Sequence, residues 1–151
     1  MTPTPRPTID DDLNDLAETF DLIGEPTDPE RYRYLMELGR GLAPLSDAER
    51  TETNKVRGCA SQVWLVTEPG AEERLAFRGD SDSDIVRGLI AVLLRLYSGR
   101  SAGEIAAFDI RAAFARLGFA GAISSQRSNG FFAMVQRVQR DAAAAGTVTP
   151  P

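Results

Sequence analysis

The sequence has no histidine and one cysteine among 151 residues. Together these absences remove most of the usual chemistry of sulfur. A cysteine hydrolase needs an imidazole beside its thiol as base. A zinc or iron-sulfur site needs three or four Cys- or His-type ligands, and one thiol supplies a single one. A structural disulfide or a CxxC redox pair needs a second sulfur. What survives is a lone thiol, Cys59, whose partner sulfur comes from another molecule.

Long apolar runs are also missing. The longest, Leu89-Ile90-Ala91-Val92-Leu93-Leu94, is far short of the roughly 18 residues that a membrane-spanning helix needs. The N-terminal stretch Met1-Thr2-Pro3-Thr4-Pro5-Arg6-Pro7-Thr8 lacks the apolar centre of a signal peptide and runs into three aspartates. There is no basic excess: 17 Lys and Arg stand against 22 Asp and Glu, a formal charge of -5, which argues against non-specific nucleic-acid binding. A free cysteine without a partner fits a reducing compartment, so the expected location is cytoplasmic.

What is present suits one domain of ordinary size. Hydrophobic residues make up 42% and charged residues 26%, enough to build a core without metal or disulfide staples. Residues 1–8, rich in Thr and Pro, are expected to be a disordered tail, 9–142 the domain, and 143–151 a flexible tail. Ile9, Leu13, Leu16, Phe20 and Ile23 recur at helical spacing and predict a helix over 9–23, with Asp10-Asp11-Asp12 as its solvated start. Asp28-Pro29 reads as an N-cap followed by proline at the first helical position, opening a helix through Tyr32, Leu35, Met36 and Leu38 that stops near Gly39 to Gly41. Ser46 to Glu49 has the spacing of a capping box.

Strand signals follow. Thr53 to Arg57 reads as a short polar strand, Ser61 to Glu68 as a strand-forming run with Trp64 in the core, and Arg74 to Arg78 as its partner across a Pro69-Gly70 turn. Gly79 to Ser83, with Asp80 and Asp82 as capping carboxylates, leads into a long apolar helix over 84–98 stopped by Gly99. Ser101 to Glu104 repeats the capping-box spacing. Helices are expected over 109–117, closed by Gly118, and over 129–141 with Phe131, Phe132, Val135 and Val138 inward. The fold class is α+β: a small antiparallel sheet of two or three strands packed by five or six helices.

Within that frame Cys59 sits at a loop tip between two strands. A lone cysteine is commonly a small buried apolar residue. Here Gly58 precedes it and permits tight-turn geometry, Lys55 and Arg57 favour the thiolate, and an apolar run begins only afterwards. These features favour a reactive thiol.

The segment Gly58-Cys59-Ala60-Ser61-Gln62-Val63-Trp64 resembles the GCxSQVW signature of the SufE family of sulfur acceptors in iron-sulfur cluster assembly. The resemblance extends in order through Tyr34 to Gly39, through Gly79-Asp80-Ser81-Asp82 with Ile85 to Ala91, through Phe108 to Arg111, and through Arg127-Ser128-Asn129-Gly130 with Ala133-Met134. Ala60 and Gln126 depart from the usual family residues. The resemblance implies a SufE/IscU-like fold in which Cys59 takes sulfur from a persulfide on a SufS-like cysteine desulfurase, stimulates that enzyme and passes the sulfur to a SufBCD-like scaffold. It implies a persulfide carrier without turnover of its own, and no cofactor, since pyridoxal phosphate belongs to the desulfurase. Arg127, Gln62 and Gly58 become candidates for supporting the cysteine loop or contacting the partner. Three other readings stand beside it: a thiol hydrolase using a carboxylate or lysine base, a binding module with Cys59 inert, and an acceptor serving a different sulfur-using pathway. A carrier must shield its thiol from oxidation, so Cys59 is expected to tuck into an apolar pocket at rest.

Overall fold

Thr8 is an N-cap, not part of a tail. Its hydroxyl accepts from the Asp11 amide at 3.1 Å, and its own amide donates to the Asp11 carboxylate at 3.0 Å, a reciprocal capping box. The computed structural model describes residues 8–56, 62–70, 73–123 and 130–147. Along them run α1 (Ile9–Ile23), α2 (Pro29–Arg40), β1 (Val63–Pro69), β2 (Arg74–Ser81), α3 (Asp84–Tyr97), β3 (Arg100–Ser101), α4 (Ala102–Ala107), α5 (Ile110–Arg116), a 3-10 turn (Ala120–Ile123) and α6 (Gly130–Thr147).

The helix starts follow their caps. Asp28 accepts from the Glu30 amide at 2.9 Å, Ser83 from Val86 at 3.4 Å, Ser101 from Glu104 at 3.2 Å and Asp109 from Ala112 at 3.0 Å. Each satisfies an amide that the first helical turn leaves without a partner. Gly99 and Gly118 take positive φ, 79° and 87°, the left-handed conformation that glycine adopts without penalty. The last helix runs past its expected end near Asp141 to Thr147, so residues 143–147 are helical and not tail.

The sheet is three-stranded and antiparallel in the order β1-β2-β3. Its third strand is not the expected Thr53–Arg57. The described residues of that stretch supply a bridge, Lys55 opposite Trp64, with a backbone hydrogen bond to β1 on either side, and no named strand, because residues 52–54 form a turn. The third strand is instead Arg100–Ser101, set against Leu75 and Arg74 by the Gly99 turn.

Alternation along the strands divides the sheet into two faces. Val63, Leu65, Leu75, Phe77 and Gly79 are buried on the inner face. A Cβ on Gly79 would lie 2.7 Å from Met134 of α6 and 3.0 Å from Ile90 of α3, so both helices pack directly on that face. Thr67 donates to Asp141 at 2.9 Å and ties α6 to β1. Helix α3 is the central element. Leu89, Ile90, Val92, Leu93, Leu96 and Tyr97 are buried, while Ile85 is exposed. It crosses α2 where Gly88 and Gly39 meet: a Cβ on Gly39 would lie 2.6 Å from the Gly88 amide, and one on Gly88 would strike the Leu35 carbonyl.

Two buried arginines close the helical side. Arg31 donates to Gly24 O at 3.1 Å and to Leu117 O, with its guanidinium over the Phe20 ring. Arg100 donates to Leu96 O at 3.1 Å and pairs with Asp12. The expected solvated run of aspartates is thus partly structural: Asp11 caps, and Asp12 neutralises a buried cation.

Candidate functional site

Cys59, Gly58 and Arg127 lie outside the described residues, as do Ala60 and Gln126. What the structure describes is how the cysteine-bearing segment is held at its two ends. On the leading side, the Val56 amide donates to Val63 O and the Leu65 amide donates to Asn54 O, both at 2.8 Å. On the trailing side, the Gln62 amide donates to the Asp82 carboxylate at 3.0 Å, and the Asp82 amide donates back to Gln62 O at 3.2 Å. Val63 pairs with Ser81, so Gln62 and Asp82 continue the same register one step beyond the end of the strands. Gln62 is exposed and is anchored through its backbone.

Asp80, next along β2, is 2% exposed. Its carboxylate accepts from Arg50 at 2.8 Å, from the Ser81 amide at 2.8 Å and from the Leu45 amide at 3.3 Å, with Arg87 Nε at 3.2 Å as a second counter-charge. Burial pushes its pKa up, but the hydrogen bonds from Arg50, Ser81 and Leu45 and the charge of Arg87 outweigh it, so the carboxyl stays below its ordinary range. Neither Asp80 nor Asp82 caps α3 as expected, because the strand continues to Ser81 and the cap falls to Ser83.

Trp64 faces outward beside Asp80, its register partner. It is half-buried and not in the core, since Val63 and Leu65 occupy the inner positions. The Arg50 guanidinium lies 5.3 Å from its ring centroid, a cation-π contact. Residues 45–50 therefore lie along the outer face of β1 and β2, and residues 54–56 pair with the edge of β1. Glu49 adds a further tie, accepting from Arg78, and this hydrogen bond with that from the Ser46 amide pulls its pKa down to about 2. The sequence reading missed Arg50 and Arg87. No local feature of the sequence marks them: the need for cationic partners arises only once Asp80 is buried.

Among the described residues no group of three or more His, Cys, Asp or Glu side chains is placed to hold a metal ion, and no helix is long and apolar enough to cross a membrane. Beside the leading flank of the cysteine segment, an open cleft of about 660 Å³ is lined by Lys55, Val56 and the α6 residues Gln136, Arg137 and Arg140 among others.

The fold and these contacts define an α+β domain that grips a single thiol-bearing segment by both flanks, with a buried carboxylate network beside one of them. Residues 14–142 match the model of the SufE family, described as an Fe-S metabolism associated domain. The chain is 50% identical over 133 residues to an uncharacterized SufE-like protein of Rhizobium etli, covering 86% of this chain and 88% of that one. It is 42% identical over 133 residues to an uncharacterized SufE-like protein of Rhizobium meliloti, covering 86% and 94%. The solution structure of a hypothetical protein from Thermus thermophilus shares the fold, with a TM-score of 0.69 at 16% identity over 91% of this chain and 97% of that one. The chain belongs to the SufE family, associated with Fe-S metabolism.

Proposed function

We propose that this protein is a sulfur acceptor in which Cys59 takes sulfane sulfur from a persulfide on a SufS-like cysteine desulfurase, stimulates that enzyme, and passes the sulfur to a SufBCD-like iron-sulfur scaffold. The observation that carries this reading is the lone cysteine of a histidine-free SufE-family chain, in a segment whose flanks are fastened on both sides.

The chemistry needs one thiolate. Cys59 attacks the terminal sulfur of the donor persulfide, the donor S–S bond breaks, and a new S–S bond forms on Cys59. The donor cysteine leaves as thiolate, and the proton lost by the Cys59 thiol is available to it or to solvent. Electrons balance without an added oxidant. Nearby Lys55 and Arg57 favour the thiolate that starts the step. The chain completes no cycle alone, since it is reset only when an acceptor thiol removes the sulfur. It is a carrier and activator rather than an independent enzyme, with no resident cofactor. A reducing cytoplasm is the compartment where such a thiol persists.

The test is intact-protein mass spectrometry after incubation with a cysteine desulfurase, pyridoxal phosphate and cysteine. Wild type is expected to gain about 32 Da per sulfur, lost on reduction, and Cys59→Ser is expected to gain nothing. No gain in wild type refutes the carrier role. Retained stimulation of the desulfurase by Cys59→Ser, without any gain in wild type, assigns the chain as a binding module with an inert cysteine.

A further inference from the structure

The cleft beside the cysteine segment is basic in an acidic protein. Its described lining residues include Lys55, Arg137 and Arg140 against one carboxylate, Glu52, while the whole chain carries -5. Its two walls come from distant parts of the sequence. One is the stretch ending at Val56, which leads to Cys59. The other is a single face of α6, where Gln136, Arg137 and Arg140 recur at helical spacing.

The three cations are not equivalent. Arg137 is braced, donating to Thr53 O at 3.2 Å and to Asp141 at 3.3 Å, and so fastens the two walls together. Among the described residues neither Lys55 nor Arg140 is fastened in this way, and Arg140 is exposed. Arg140 is presented to solvent, and Lys55 stands half-buried on the opposite wall.

The position of the cleft fixes what meets it. Cys59 lies three positions after Val56, so their Cα atoms are at most about 11 Å apart, and those of Lys55 and Cys59 at most about 14 Å. Sulfur transfer brings a partner's sulfur into bonding contact with Cys59. A standard interface covers about 800 Å² on each protein, a disc of roughly 16 Å radius. A footprint centred on Cys59 therefore reaches this edge of the cleft. Small ligands are mostly enclosed by their sites, whereas this cleft is open, which favours a protein surface as occupant.

We propose that the cleft is a docking surface for an acidic segment of the sulfur-donating desulfurase, with Lys55 and Arg140 supplying the positive charge; this rests on the sulfur-acceptor reading. Such charges act mainly on encounter and salt dependence rather than on chemistry. A donor that arrives with an anionic persulfide gains from the same field.

The test compares full-length wild type with Arg140→Glu and with the charge-conserving Arg140→Lys. The rate of Cys59 persulfide formation by desulfurase is measured against chain concentration and against salt. Charge reversal is expected to raise KM about tenfold with kcat nearly unchanged and to flatten the salt dependence, while the charge-conserving variant behaves as wild type. Alkylation of Cys59 by neutral iodoacetamide, a readout of the thiol alone, is expected to be the same in all three. Equal loading of wild type and the reversed variant overturns the docking surface and leaves the acceptor reading standing. Normal loading with slowed delivery to the scaffold overturns the assignment to the donor. Failure of wild type to load at all refutes both.

Discussion

Replacing Asp80 tests the network that anchors the trailing flank. In Asp80→Ala, the buried Leu45 and Ser81 amides lose their acceptor, and Arg50 and Arg87 lose a shared counter-charge. Breaking a buried ion pair by removing one partner costs about 3–5 kcal/mol. The arginines are 40% and 24% exposed, so water partly re-solvates them, which places the loss near the lower bound, about 3 kcal/mol. For a chain of this size that lowers Tm by roughly 6–12 °C at pH 7. Asp80→Asn keeps the shape and one acceptor oxygen but not the charge, and is expected to fall about midway.

The pH dependence sharpens the test. The Asp80 carboxyl titrates below its unfolded value, so its contribution is fully present above the ordinary carboxylate pKa and is lost as pH falls through the lower folded value. Asp80→Asn has no such proton to take up. Melting curves followed by circular dichroism are therefore expected to show a gap between wild type and Asp80→Asn that is widest near neutrality and closes in acid. An Asp80→Ala variant within about 2 °C of wild type at pH 7, or a gap that widens on acidification, would refute the reasoning.

Two further substitutions probe other joints. Gly88→Ala gains about 1 kcal/mol of helix propensity but drives a methyl into the Leu35 carbonyl, an overpacking cost of about 3 kcal/mol, so calorimetry is expected to show a net loss near 2 kcal/mol. Asp82→Ala removes the acceptor of an exposed Gln62 amide; Tm is expected to move by no more than about 4 °C, hydrogen exchange at the Gln62 amide to accelerate several-fold, and Asp82→Asn to restore protection.

Helices were legible in the sequence because their signals are local. The apolar stripe of α1, the Asp28-Pro29 start of α2 and the capping serine at position 101 each act within a few residues. The sheet was less legible because its signals are tertiary. Val63 to Val66 is apolar throughout, so its pattern does not say which parity faces inward, and only packing against α3 and α6 turns Trp64 outward. Arg100–Ser101 is too short to carry a strand pattern, and its pairing depends on where α3 delivers the Gly99 turn. The burial of Arg31 and Arg100 has no local mark in the sequence; their partners Leu117 and Asp12 lie 86 and 88 residues away.

The candidate site divides along the same line. Its proposed chemical centre, Cys59, follows from composition, whereas the contacts that hold its flanks follow from register. The blocks GCASQVW and GDSD read as separate segments, the second as a helix cap. Once Val63 pairs with Ser81, Gln62 must meet Asp82 and Trp64 must meet Asp80. That places one carboxylate on the backbone beside the cysteine segment and buries the other under residues 45–50. The two segments are thus one unit joined across a ladder, and Asp80 is ionised inside it because Arg50 and Arg87 meet it there. Substitutions in the second segment should accordingly be felt at the first: loosening Asp82 frees the trailing flank directly, while neutralising Asp80 releases Arg50 from Trp64 and loosens the layer over both strands.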